Sequence, residues 1–125
     1  MSAFQQFEDI EAWQDARNLV RKIYEATRDE PFSRDFGLCD QIQRSGVSIM
    51  ANIAEGFERK NPNELAHYLR IARGSCAEVQ SHLYVALDAK LIDNETFNAL
   101  QQQATRTGSK ISGFQRYLKS RNGQN

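Results

Sequence analysis

Proline, glycine and cysteine are all scarce in this sequence. Its 125 residues include two prolines, seven glycines and two cysteines. So few helix-breaking residues, and no alternating β-branched runs, argue against a β-rich chain and favour an all-α one. Two cysteines without a C-x-x-C pair also exclude a disulfide-stapled framework. A chain of this length is expected to fold as one domain over residues 1–125.

Long apolar runs and a secretory signal are absent too. No stretch approaches the roughly 18 apolar residues of a membrane span, and the charged start does not have the pattern of a signal peptide. Cys39 and Cys76 lie among small or apolar neighbours in helical patterns. That setting indicates buried free thiols rather than a redox centre. We expect a soluble cytoplasmic protein with no membrane partner.

An excess of charge of either sign is also absent, because 16 Lys and Arg balance 16 Asp and Glu. A zero net charge argues against a dedicated nucleic-acid-binding protein, although it leaves room for a local basic surface. The two ends of the chain differ. Residues 1–30 hold seven acids against four bases, whereas the chain from Thr96 onward holds five bases and no acid.

Apolar residues spaced three and four apart predict four helices, at about residues 9–29, 35–57, 62–90 and 94–120. Pro31 falls between the first two patterns, and Asp93 or Asn94 can cap the last helix. Four helices of similar length joined by short loops predict an antiparallel up-down four-helix bundle.

The corner between the second and third helices reads "GFERKNPNE". Gly56 is predicted to end the second helix in the left-handed conformation. Asn61 is predicted to cap the third helix, with Pro62 in its first position and Glu64 completing a capping box.

Residue patterns that carry catalysis or bind metals are weak. Glu64 and His67 have the E-x-x-H spacing of di-iron bundles, but such a site needs a second pair, and Glu78 and His82 lack that spacing. Ser75 does not lie in a G-x-S-x-G elbow. We expect no enzymatic activity, no metal and no cofactor. A metal-dependent bundle enzyme using Glu64 and His67 is a remote alternative.

Two polar residues interrupt the charge-poor segment between Ser45 and Gly56. Asn52 and Glu55 lie among small and apolar residues, and a buried carboxylate needs a partner. The candidate partners are Arg44, Arg70 and Arg73. An internal polar clamp and a subunit interface are both compatible with this pattern. Glycine in mid-helix costs about 1 kcal/mol relative to alanine, so Gly74 predicts the close approach of helix 2.

Basic residues fall into two groups. The first surrounds the corner between helices 2 and 3. The second, which includes Arg121, lies on both flanks of the outward face of helix 4. A charge run is usually a solvated face, but an acid-free helix indicates a polyanionic partner. The candidates for binding nucleic acid or a partner are Arg59, Lys60, Arg70, Arg73, Arg106, Lys110, Arg116 and Lys119.

Three segments resemble a known family. They are "FEDIEAWQDARNLVRKIYE", "FGLCDQIQRSGVSIMANIAEGFERKNPNE" and "YLRIARGSCAEVQSHLYVAL". Over about residues 4–119 the chain is similar to the four-helix-bundle proteins encoded by intervening sequences in 23S ribosomal RNA genes. Accessory proteins of diversity-generating retroelements share that fold. The family motif falls on Arg44, Ser48, Asn52, Glu55, Gly56, Arg59, Glu64, Gly74, Ser75 and Glu78.

The resemblance implies a small cytoplasmic bundle that forms a ring-like homopentamer. It also implies an association with RNA or with a nucleic-acid-handling protein. With the motif positions added, the candidates for a polar clamp or subunit interface are Arg44, Ser48, Asn52, Glu55, Gly74, Ser75 and Glu78. We therefore expect a non-enzymatic, homo-oligomeric scaffold or RNA-associated binding module. The alternative is an accessory protein that contacts only other proteins.

Overall fold

Four long helices make up the fold. The computed structural model describes residues 4–123. The helices are α1 (Glu11–Arg28), α2 (Phe36–Glu58), α3 (Pro62–Asp88) and α4 (Asn94–Gly123), with short 3-10 turns at Phe7–Asp9 and Phe32–Arg34. The predicted domain span 1–125 includes residues 1–3 and 124–125, which lie outside the described residues.

Each helix packs against its two neighbours in the order α1–α2–α3–α4 and back to α1, with the most extensive contact between α2 and α3. The prediction of an all-α, antiparallel up-down bundle is confirmed. The apolar stripes of all four helices meet in one core, which includes the fully buried Leu19, Ile53, Leu69, Leu83 and Ile111. Burial of these stripes is the main source of helix stability in a bundle of this kind.

Side-chain caps set where the helices begin. The Asp35 carboxylate accepts a hydrogen bond from the Leu38 amide at 3.0 Å and so caps α2. Asp93 does the same for α4, accepting from the Thr96 amide at 2.8 Å. Helix α1 begins at Glu11 rather than near residue 9, because Phe7–Asp9 forms a separate 3-10 turn.

The α2–α3 corner differs from the prediction at Gly56. This residue lies inside α2, which continues to Glu58, and the left-handed residue is Lys60, with φ of 55°. The prediction that Gly56 ends the helix is therefore wrong. Asn61 caps α3 as predicted, because its Oδ1 accepts from the amides of Asn63 and Glu64 at 2.9 and 3.1 Å. Among the described residues the Glu64 carboxylate does not complete the predicted capping box and lies instead 3.8 Å from the Arg59 guanidinium.

None of the helices within residues 4–123 is both long and apolar enough to cross a membrane.

Candidate functional site

A row of polar side chains joins α2 to α3. The hydroxyls of Ser48 and Ser75 lie 2.8 Å apart. Asn52 Nδ2 donates to the Ser48 carbonyl at 2.8 Å and to its hydroxyl at 3.0 Å, and Ser45 Oγ donates to Glu78 Oε1 at 3.5 Å. We call Ser45, Ser48, Asn52, Ser75 and Glu78 the polar seam. It brings together four of the residues selected from the sequence as a clamp or interface, and adds Ser45.

Glu55 does not belong to the polar seam. Its side chain is exposed, so the prediction of a buried carboxylate is wrong. Glu55 Oε2 instead accepts a hydrogen bond from Arg59 at 2.8 Å and one from the Tyr68 hydroxyl at 3.2 Å. These two donors hold the pKa of Glu55 below its usual range. The error has a simple cause, since the residues around Glu55 are small but the helix turns its side chain outward.

Tyr68 completes this corner cluster, and sequence patterns alone did not select it. The Arg59 guanidinium donates to the Tyr68 hydroxyl at 2.7 Å and lies 5.3 Å from the ring centroid. The Glu64 carboxylate is 3.8 Å from the same guanidinium. Since Arg59 is already held by two carboxylates and a phenol, it contributes little free charge to a partner. Lys60 Nζ lies 4.5 Å from the Phe57 ring centroid.

The arginines proposed as partners of Glu55 lie elsewhere. Arg44 pairs with Asp40 at 2.9 Å, one turn earlier on α2. Arg70 and Arg73 are exposed on α3. The predicted pairing is therefore wrong for all three, because Arg59 lies one helical turn after Glu55 and is closer.

Gly74 also contradicts its prediction. It is exposed, and a Cβ added there would meet nothing within 4 Å. The close approach expected at Gly74 occurs at Gly56, where an added Cβ would lie 2.7 Å from Tyr68 Cβ. No contact within residues 4–123 explains a glycine in the middle of α3.

Exposed apolar residues lie on α2 and α3, although the exposed residues one turn before and after Gly74 are the charged Arg70 and Glu78. Val47 of α2 is 44% exposed and Ile71 of α3 is 40% exposed. Ala51 of α2 is also exposed. We call Val47, Ala51, Ile71 and Gly74 the α2–α3 outer face.

Two of the candidate bases on α4 are neutralised by α1. Arg106 pairs with Asp15 at 2.9 Å, and Lys110 pairs with Glu11 at 2.7 Å. The hydrogen bond from Lys110 and its charge lower the pKa of Glu11. Arg106 and Lys110 therefore help to attach α4 to α1, so the prediction of a fully cationic outward face on α4 needs correction.

The remaining candidate bases converge on one side of the bundle. Helices α3 and α4 run antiparallel, with Cys76 Sγ donating to the Ala104 carbonyl at 3.2 Å and Gln80 Nε2 to Thr105 Oγ1 at 3.3 Å. Moving back along α3 from this level corresponds to moving forward along α4. With a rise of 1.5 Å per residue, the bases from both helices occupy about 15 Å of the bundle's length. They are Arg70, Arg73, Arg116 and Lys119, all exposed.

No acid interrupts this side of the two helices. The α3 segment from Leu65 to Ala77 and the whole of α4 after Glu95 contain no Asp or Glu. We call Arg70, Arg73, Arg116 and Lys119 the basic α3–α4 face. The sequence placed these residues in two separate groups, and the antiparallel packing unites them.

The side chains of His67, Cys39 and Cys76 lie in surroundings that suit a structural role. His67 contacts the ring of Tyr68 at a centroid distance of 5.5 Å. Within residues 4–123, no three His, Cys, Asp or Glu side chains are grouped so as to hold a metal. Cys39 and Cys76 are free thiols, the first half-buried and the second buried. Burial raises the pKa of both thiols, which disfavours a reactive thiolate.

The fold defines a small four-helix-bundle protein. The chain belongs to the 23S rRNA-intervening sequence protein family, whose sequence profile matches residues 8–113. The fold is also similar to a crystal structure at 1.70 Å resolution of a protein of unknown function from the S23 ribosomal protein family of Bacteroides thetaiotaomicron. The two share 22% sequence identity with a TM-score of 0.75, over 82% of this chain and 96% of that one. No curated protein matches the sequence.

Proposed function

We propose that this protein is a non-enzymatic, self-assembling helical bundle that acts as an RNA-associated binding module. The basic α3–α4 face carries the proposal. Its four exposed bases lie on two adjacent helices with no acid between them along the relevant segments. Lys and Arg side chains arranged in this way contact successive phosphates and release the counterions condensed on a nucleic acid.

A local face of this kind is compatible with the zero net charge. Potentials near a protein surface depend on the charges within about a Debye length, which is roughly 8–10 Å at physiological salt. The acids of α1 lie on the opposite flank of α4, where Glu11 and Asp15 are engaged by Lys110 and Arg106. A polyanion approaching the basic α3–α4 face therefore meets unopposed positive charge.

A second candidate function is an accessory role that involves proteins alone. The α2–α3 outer face favours it, because Val47 and Ile71 are exposed and a Cβ added at Gly74 meets no described residue within 4 Å. In the main proposal this face joins copies of the chain into a homo-oligomer, for which the family resemblance suggests a pentamer. We further propose a cytoplasmic location, since two free thiols suit a reducing compartment.

Charge reversal on the basic face tests RNA binding. We expect the double variant Arg70→Glu/Arg73→Glu to bind a labelled single-stranded RNA of about 16 nucleotides more weakly than the wild type. The slope of log affinity against log salt should decrease in magnitude by about 1 to 2, because two phosphate contacts are lost. Fluorescence anisotropy at several salt concentrations measures both quantities.

The matched control is Arg21→Glu/Arg28→Glu on α1, which changes the net charge by the same amount at exposed positions. It should retain the wild-type salt slope. Equal losses in the two double variants would indicate only a general charge effect and contradict the proposal. Absence of RNA binding by the wild type at low salt would favour the protein-only role.

A further inference from the structure

A cleft opens on the other side of α4, between the start of α1 and the end of α4. Its volume is about 360 Å³, within the usual range for small-ligand sites of roughly 300–1,000 Å³. The lining that matters here is Phe4, Ile10, Lys110, Gly113, Phe114 and Tyr117. We call this space the α1–α4 cleft. Its walls are mainly apolar, and a lysine lies at its edge.

Three aromatic rings form one end of the α1–α4 cleft. Phe4 meets Phe114 edge-to-face with centroids 5.5 Å apart, and meets Tyr117 in the same way at 6.5 Å. Phe114 and Tyr117 are stacked at 6.3 Å. Tyr117 remains 36% exposed despite these contacts. Because Phe114 is buried, the aromatic surface that a flat, unsaturated ligand could contact comes from Tyr117 and the half-buried Phe4.

The charges around the cleft distinguish its two walls. On α4, the Arg121 guanidinium lies 5.5 Å from the Tyr117 ring centroid. Arg116 lies at the edge of the basic α3–α4 face and also reaches toward the cleft, because its guanidinium is 3.8 Å from a Cβ added at Gly113. On the α1 side, Asp9 accepts hydrogen bonds from the backbone amides of Gln5 and Gln6. Glu11 is the partner of Lys110 at 2.7 Å. A phosphate is therefore attracted to the α4 side and repelled from the α1 side.

We infer that the α1–α4 cleft receives an unpaired nucleobase from a single-stranded RNA. The base would stack against the aromatic cluster while its phosphates follow the basic turns of α4 at Arg116 and Arg121. The inference rests on the proposed RNA-binding function and names its substrate class. Duplex RNA would be a poorer ligand, because its bases are already stacked and paired and only its phosphates reach the basic face.

The test compares single-stranded RNA with a duplex of the same sequence. The single strand carries one adenine analogue that fluoresces when unstacked, and its emission should fall on binding. Tyr117→Leu should weaken single-strand binding about tenfold while leaving duplex binding unchanged. A tenfold loss of affinity is the size expected when one base no longer stacks on an aromatic residue. Tyr84→Leu, at an exposed tyrosine of α3, is the control and should bind both RNAs as the wild type does.

A second variant tests whether the effect of Tyr117→Leu comes only from a change in packing. Gly113→Leu adds bulk to the cleft without removing an aromatic ring, because an added Cβ there meets nothing closer than the Arg116 guanidinium at 3.8 Å. It too should weaken single-strand binding selectively. If neither variant alters binding, and single strand and duplex bind alike, the cleft inference is overturned. RNA binding through the basic α3–α4 face would still stand in that case, provided that Arg70→Glu/Arg73→Glu lowers affinity.

Discussion

Glycine shows how differently one residue type is used along this bundle. At Gly56 the absence of a side chain allows α2 and α3 to approach each other, since an added Cβ would lie 2.7 Å from Tyr68 Cβ and 3.1 Å from Leu65 Cδ1. At Gly108 of α4 the nearest atom to an added Cβ is Cys76 Sγ, at an ordinary contact distance of 3.6 Å. The first glycine is required by packing, and the second is not.

This difference predicts opposite effects of one substitution. Gly56→Ala should lower the free energy of unfolding by about 1–3 kcal/mol, because two Cβ atoms fixed to their backbones cannot relieve the clash by rotation. Gly108→Ala should instead be neutral or stabilising by up to about 1 kcal/mol, since alanine favours the helix. Urea unfolding at a fixed protein concentration measures both. A Gly56→Ala variant as stable as the wild type would show that the helices can separate at little cost.

Residues at the α2–α3 corner show what local sequence can and cannot predict. Asn61 was predicted correctly as a cap, because capping depends only on its neighbours at Asn63 and Glu64. The partners of Glu55 were predicted wrongly. One of them, Tyr68, lies 13 residues away on the next helix, and sequence spacing does not report which side chains two packed helices bring together.

At the scale of the helices, two ion pairs help to attach α4 to α1. The Asp15 side chain is only 10% exposed and pairs with Arg106, which is 64% exposed. Gln103 of α4 also donates to the Asp15 carbonyl at 2.9 Å. The Lys110–Glu11 pair, one turn away, is more exposed on its acidic side. The Asp15 carboxylate is therefore more desolvated than the Glu11 carboxylate, and it depends more on its cationic partner.

Removal of Arg106 should accordingly cost more than removal of Lys110. Arg106→Gln leaves a nearly buried carboxylate without its cation and should lower the free energy of unfolding by about 1 kcal/mol, a figure reduced by the exposure of the arginine. Adding Asp15→Asn should recover part of that loss in a double-mutant cycle. Lys110→Gln is the control, with a smaller effect expected. Equal stabilities of the two single variants would mean that burial of Asp15 does not matter.

The helices themselves were predictable from sequence because their apolar periodicity is strong and each long stripe has a single way to face the core. The cyclic order of the helices followed from short loops. Two features of the structure could not be predicted from the sequence. The α1 acids select Arg106 and Lys110 from five similar bases on α4, and antiparallel packing places Arg70 and Arg73 beside Arg116 and Lys119. Both depend on the rotation of each helix about its axis, which charge spacing alone leaves open.

For the molecule as a whole, α3 belongs to both candidate surfaces. Ile71 and Gly74 belong to the α2–α3 outer face, and Arg70 and Arg73 belong to the basic face. The two surfaces adjoin on α3, because Arg70 lies one helical turn before Gly74. If copies of the chain associate through the outer face, the basic faces lie beside each contact rather than beneath it. Assembly would then bring several basic faces into one larger surface, which would raise affinity for a long polyanion by multivalency.

Association through the outer face predicts a specific effect of bulk at Gly74. Gly74 is exposed and a Cβ added there meets no described residue within 4 Å, so Gly74→Arg should leave the folded chain intact. If a second copy packs there, the arginine prevents the contact and the particle dissociates. Size-exclusion chromatography with light scattering should give a multiple of 14.3 kDa for the wild type, near fivefold for a pentamer, and close to 14.3 kDa for the variant. Asn18→Arg, which adds the same charge at an exposed position of α1, should keep the wild-type mass.

Two results would show that copies do not meet at Gly74. One is a wild type that is already a single chain, and the other is a Gly74→Arg variant whose mass equals that of the wild type. The glycine would then need another explanation.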